Sequence, residues 1–141
     1  MSIPVWALLA FAMWTIAILM IGVGVYRWSL ILTGKAEFNS FHGDELNGSP
    51  FYRRAVRAHL NCVENLPVFA AIVLATQASG LHSTTLDMLS AGVFAARVVQ
   101  TSAHLASGSN AAVAVRSTFF SVQLAAFVSM AALVVLHAAG R

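Results

Sequence analysis

Charged side chains are scarce in this sequence, and their scarcity excludes most soluble proteins. Only 9% of the 141 residues are Asp, Glu, Lys or Arg, whereas globular domains carry about a quarter. A single cysteine, Cys62, excludes an internal disulfide, and no spacing of Cys and His is typical of a zinc site. The net charge of +3 comes without a basic run, so nothing in the composition favours nucleic-acid binding or intrinsic disorder.

Hydrophobic residues make up 59% of the chain and fall into four long segments. The first holds no charged residue from Met1 to Tyr26, which exceeds the roughly 20 apolar residues needed to cross a bilayer. We predict four membrane-spanning helices, at about residues 4–32, 50–79, 84–106 and 111–137, in a single domain covering 1–141. The expected fold class is an all-α integral membrane protein, a bundle of four transmembrane helices in contact with the lipid bilayer.

Polar residues between these segments predict where the helices begin and end. Residues 34–49 are the only long polar stretch and are predicted to form a loop outside the membrane. Ser49 and Pro50 are typical of a helix start, and Gly80 is typical of a helix end. Asn110 is predicted to cap the last helix.

The distribution of basic residues predicts the orientation of the chain. Four crossings leave both termini on one side of the membrane and the loop 34–49 on the other. Only Arg141 lies toward the termini, whereas seven basic residues lie toward the loop: Arg27, Lys35, Arg53, Arg54, Arg57, Arg97 and Arg116. Because Lys and Arg are enriched on the cytoplasmic side, we place the loop in the cytoplasm. The short chain has no retention signal, which favours a bacterial inner membrane.

Ionisable residues inside the spans indicate a binding site, because an uncompensated charge in hydrocarbon is costly. Arg57, Asn61 and Glu64 are spaced i, i+4 and i+7 in the second span and therefore share one helical face. An i, i+7 pair, Arg97 and His104, occurs in the third span. An excess of buried positive charge predicts an anionic ligand such as a small polycarboxylate. Each span brings one basic residue to the same leaflet: Arg27, Arg57, Arg97 and Arg116.

Other interpretations of these residues remain open. Arg57 and Glu64 would also suit a structural ion pair, and Arg97 or Arg116 would suit interfacial anchors. His59 lies two residues off the polar face and fits packing as well as ligand binding. A non-catalytic module that binds an anionic lipid or organic anion, or an oligomeric scaffold, would use the same charges. A small transporter is disfavoured, because efflux proteins of this size place an isolated acid in the first span, and this span has none.

The run from Arg57 to Phe69, RAHLNCVENLPVF, resembles the signature of the MAPEG family, the membrane-associated proteins of eicosanoid and glutathione metabolism. The family pattern is Arg-Ala-His/Gln-x-Asn-x-x-Glu, with Pro and Phe following. The chain length, the four spans, the polar loop and the later Arg97 and Arg116 extend the resemblance over nearly the whole chain. It resembles most a bacterial-type member similar to microsomal glutathione transferase.

This resemblance implies a homotrimer that binds glutathione, as co-substrate, between neighbouring subunits near the cytoplasmic face. The implied activity is glutathione conjugation, or glutathione-dependent peroxide reduction, of a lipophilic small molecule. It also implies that Arg116 is the catalytic residue that stabilises the thiolate. His104 stands where the family usually has Tyr. The glutathione ligands we expect, with Arg27 added from the charge pattern and His59 from its place near the polar face of the second span, are Arg57, Asn61, Glu64, Arg97, His104, Arg27 and His59.

Overall fold

The computed structural model describes residues 1–37, 40–41 and 48–140, and all regular structure within them is helical. Most of the predicted loop, including Asp44 and Glu45, lies outside the described residues. The elements are α1 (Ile3–Ala17), a π-helical segment (Ile18–Gly24), α2 (Val25–Leu32), α3 (Pro50–Ser79), α4 (Thr84–Ala106) and α5 (Asn110–Ala139). The first three of these elements follow one another without a break, and together we call them the first rod.

Serine hydroxyls begin the last three helices. Ser49, Ser83 and Ser109 each accept a hydrogen bond from the backbone N–H three residues on, at 3.1, 3.2 and 3.3 Å. The predicted start at Ser49 is therefore confirmed, as is the stop at Gly80, whose φ of +65° is left-handed. The predicted cap of α5 is wrong by one residue: Asn110 is the first helical residue, because the hydroxyl of Ser109 caps the helix.

Three helices are long and apolar enough to cross a membrane: Ile3–Leu32, Pro50–Ser79 and Asn110–Ala139. The helix α4 is not one of these three, and its polar side chains account for this. Ser90, Arg97, Gln100 and Thr101 all lie on α4, and all four are buried by the rest of the bundle. The chain is thus an all-α integral membrane protein in which α4 turns its polar face inward.

Three phenylalanines join the first rod, α3 and α5 in the centre of the bundle. Phe69 on α3 is fully buried, with its ring centroid 5.9 Å from that of Phe11 and 5.8 Å from that of Phe127. Leu86 and Val93 of α4 complete the same cluster. This cluster lies in the half of the bundle away from the arginines of α3.

The π-helical segment packs closely against the first part of α3. A methyl group on Gly22 would lie 2.9 Å from Cβ of Ala55, which is closer than two such carbons approach. Ala55 is itself fully buried. The absence of a side chain at Gly22 therefore sets the distance between the first rod and α3, next to the arginines of α3.

Candidate functional site

The polar residues of α3 do not all point the same way. Arg57 and Glu64 are exposed on the lateral surface of the helix, whereas Asn61 is half-buried between helices. Seven residues bring a helix back to within about 20° of the same direction, but four residues leave it about 40° away. This difference is enough to place Asn61 in the interhelical space while its two neighbours face outward.

A cavity of about 360 Å³ lies where α3 begins, α4 ends and α5 begins. We call it the arginine cavity, because four guanidinium groups border it and none of the described residues that line it is acidic. His104 contributes the remaining ionisable side chain. The lining residues are Pro50, Arg53, Arg54, Arg57, His104, Gly108, Val113 and Arg116.

Arg54 ties two walls of the arginine cavity together. Its Nε donates to the carbonyl oxygen of Leu105 at 3.1 Å, near the C-terminal end of α4. The last carbonyls of a helix lack intrahelical partners and carry partial negative charge, which favours a guanidinium there. Arg54 therefore holds the end of α4 against α3, and the same residue borders the cavity.

A second cavity, of about 320 Å³, adjoins the first on the side toward the membrane interior. His104 and Arg116 border both cavities, so these two side chains form the wall between them. The second cavity offers amides and hydroxyls rather than a cluster of cations. Its lining residues are Asn61, Gln100, His104, Arg116, Ser117, Phe120 and Ser121.

Arg97 lies beneath the second cavity and does not line it. The side chain is fully buried, and its Nη1 donates to Oδ1 of Asn61. Its guanidinium carbon lies 5.0 Å from the ring centroid of Phe11, a cation–π contact. Among the described residues, Nε and Nη2 of Arg97 have no hydrogen-bond partner. The expected glutathione ligand of the third span is thus a core residue in contact with Asn61.

Arg27 and His59 contact neighbouring helices instead of lining either cavity. Nε of Arg27 donates to the hydroxyl of Tyr52 at 2.7 Å, and its guanidinium stacks over the rings of Tyr52 and Phe41. Nδ1 of His59 lies 3.2 Å from the carbonyl oxygen of Thr15 in α1. Within one chain, both residues connect α3 to the first rod.

Sequence reasoning underrated or missed part of the lining. Arg53 and Arg54 are not among the ligands expected from the sequence, yet both border the arginine cavity. Ser117, Phe120 and Ser121 follow Arg116 at helical spacing, which is a usable signal, but Ser and Phe are ordinary residues in a membrane helix. Only their place beside Arg116 on α5 distinguishes them.

Comparison with known proteins gives one match that covers the chain. No curated protein matches the sequence. The sequence profile of the MAPEG family matches residues 3–136, which include all five helices nearly to the end of α5. The motif in α3 and the arginines around the arginine cavity all lie within the matched residues. The chain belongs to the MAPEG family.

Proposed function

We propose that this protein is a glutathione-dependent membrane transferase or peroxidase that acts on lipophilic electrophiles. The observation that carries the proposal is the arginine cavity, whose volume of about 360 Å³ falls within the range of about 300–1,000 Å³ that small-ligand pockets have. Guanidinium groups bind carboxylates through paired hydrogen bonds, and glutathione has two carboxylates. Membership of the MAPEG family supports a glutathione-related function.

We further propose that a neighbouring subunit completes the site, in a homotrimer as the family resemblance implies. Glu64 is exposed on the side of α3, although it lies in the middle of a 30-residue helix, about 21 Å from Pro50 along the axis. A carboxylate cannot face hydrocarbon at that depth without a large cost. A second subunit and the ammonium group of glutathione would cover Glu64, with the peptide lying along the face from Arg57 to Glu64.

A fourth crossing by α4 belongs to the same proposal. Its 23 residues span about 34 Å, which is enough for the hydrocarbon core, and Ser90, Arg97, Gln100 and Thr101 are buried in the bundle rather than exposed to lipid. The arginine cavity then lies at one membrane face, which the basic residues assign to the cytoplasm. Single cysteines placed by His82→Cys and Asn110→Cys, at exposed positions on either side of α4 and in a Cys62→Ser background, should label with a membrane-impermeant maleimide from opposite sides.

The proposed reaction takes place beside His104 and Arg116, the two residues that form the wall between the two cavities. The glutathione thiol loses its proton to solvent, and the guanidinium of Arg116 stabilises the sulfur anion. In conjugation, sulfur forms a bond to an electrophilic carbon, and the leaving group departs with its electron pair. With a hydroperoxide, sulfur attacks the terminal oxygen and the O–O bond breaks. An alcohol is released, and a second glutathione converts the sulfenic product to disulfide and water.

Calorimetric titration of glutathione into the detergent-purified protein tests the proposal. We expect saturable binding that weakens at least tenfold in each of Arg57→Ala, Glu64→Ala and Arg116→Ala, since a hydrogen bond to a charged group contributes about 1.5–3 kcal/mol. Lys35→Ala is the matched control, because this exposed cation lies outside the helices and should leave the affinity unchanged.

A measurement of turnover distinguishes an enzyme from a module that only binds an anion. Loss of an aryl halide or a lipid hydroperoxide in the presence of glutathione, abolished by Arg116→Ala, would support catalysis. Saturable binding of an anionic lipid, without any response to glutathione, would instead identify the non-catalytic module and overturn the proposal.

A further inference from the structure

The contact between Arg97 and Asn61 determines which end of the Asn61 amide faces the second cavity. A guanidinium has only donors, so the Asn61 atom that it holds is the oxygen. Nη1 of Arg97 donates to that oxygen, and Asn61 itself lines the second cavity. No group in the described part of the chain accepts from the Asn61 side-chain nitrogen. The amide therefore offers its two N–H donors to whatever occupies the cavity.

The charge of Arg97 acts in the same direction. The side chain is fully buried, and among residues 1–37, 40–41 and 48–140 no carboxylate pairs with it. Its nearest compensating groups are the amide oxygen of Asn61 and, at 5.0 Å, the ring of Phe11, and neither carries a full negative charge. A positive charge therefore lies directly behind the Asn61 amide, where water cannot screen it fully. The N–H donors of Asn61 and the positive charge of Arg97 together favour an anionic acceptor in the second cavity and disfavour an ammonium group.

We propose that Arg97 is a positioning residue that holds the Asn61 amide with its N–H donors toward the second cavity, where they bind an anionic group of the ligand. This proposal rests on the proposed function, and it adds the orientation of glutathione in the site. A carboxylate or the thiolate of glutathione lies at Asn61, and its ammonium group lies elsewhere, on the side of Glu64. Arg97 itself does not touch the ligand, which separates it from Arg57 and Arg116.

The substitution Asn61→Asp separates positioning from structural support. A carboxylate at position 61 keeps the partner of Arg97 and neutralises its buried charge, but it presents oxygen to the cavity instead of N–H. We expect a thermal midpoint equal to or above that of the unaltered protein, together with at least tenfold weaker glutathione binding by calorimetry. A merely structural role for this pair predicts the same retained stability but an unchanged affinity for glutathione.

A matched pair at position 97 tests the residue itself. Arg97→Lys keeps a donor and a charge, whereas Arg97→Met has a similar length and neither. We expect the Lys variant to bind glutathione within about threefold of the unaltered protein and the Met variant at least tenfold more weakly. Unchanged affinity in Asn61→Asp, or in a folded Arg97→Met variant, would overturn the proposal. An unaltered protein that binds no glutathione would instead refute the proposed function, and this inference with it.

Discussion

The close approach of Gly22 to Ala55 predicts that a single added methyl group will destabilise the bundle. In Gly22→Ala the new Cβ would lie 2.9 Å from Cβ of Ala55, whereas two such carbons normally stay about 3.5–4.0 Å apart. Either the first rod or α3 must move by several tenths of an ångström. Overfilling of a packed interior costs about 1–3 kcal/mol, and Ala55 is fully buried.

An opposing effect requires a control, because Ala stabilises a helix relative to Gly by about 1 kcal/mol. Gly92 on α4 supplies that control, since nothing lies within 4 Å of a Cβ built there. Gly92→Ala should therefore show the helix-forming gain alone. The difference between the two substitutions isolates the contact, and we expect it to be about 1–3 kcal/mol. At about 3–4 °C per kcal/mol for a domain of this size, the two thermal midpoints should differ by roughly 3–12 °C.

The assay is thermal unfolding followed by circular dichroism, in one detergent for all variants. Moving the methyl group from one helix to the other, in Gly22→Ala with Ala55→Gly, restores the space and should recover most of the loss. The two sites would then show a coupling free energy, as residues in contact do. If Gly22→Ala raised the midpoint as much as Gly92→Ala does, the close packing of the π-helical segment on α3 would be refuted.

Two other predictions concern the interior. Phe69→Ala removes the ring that lies between those of Phe11 and Phe127, and we expect a loss of about 3 kcal/mol in unfolding free energy, measured by the same thermal assay; a loss below about 1 kcal/mol would contradict the central position of this ring. Nε2 of Gln123 donates to Oε1 of Gln100 at 3.0 Å, and replacing Gln123 alone by Leu should cost about 1–3 kcal/mol, because the Gln100 oxygen loses its donor. Replacing both by Leu should be nearly neutral, and equal losses in the single and double variants would refute this pairing.

The sequence predicts helices and caps well here, because the physical causes are local. A serine hydroxyl reaches the N–H three residues away whatever the rest of the chain does, and a glycine after an apolar run can take a positive φ. The MAPEG signature is equally local, since it lies within a few turns of α3. These features need no knowledge of which helix packs against which.

The site is harder to predict, because helical spacing gives a direction to within tens of degrees but does not name the neighbour in that direction. Asn61 differs from Arg57 by about 40° around α3, and this decides between contact with Arg97 and exposure on the outer surface. The π-helical segment adds a further rotation within the first rod. It is followed by Tyr26 and Arg27, which contact the start of α3 rather than either cavity.

The arginines differ in what they contact, and this difference could not be predicted from the span in which each one lies. Arg57 and Arg116 border the arginine cavity, whereas Arg27 and Arg97 contact aromatic rings and polar groups of neighbouring helices. Burying a guanidinium without an acid lowers stability, and an apolar side chain of similar size is often neutral or stabilising at such a place. Arg97 is therefore a poor choice for stability alone. Its contact with Asn61 accounts for its place in the core. The guanidinium lowers the stability of the bundle, but it also holds the Asn61 amide, with its N–H donors, at the wall of the second cavity.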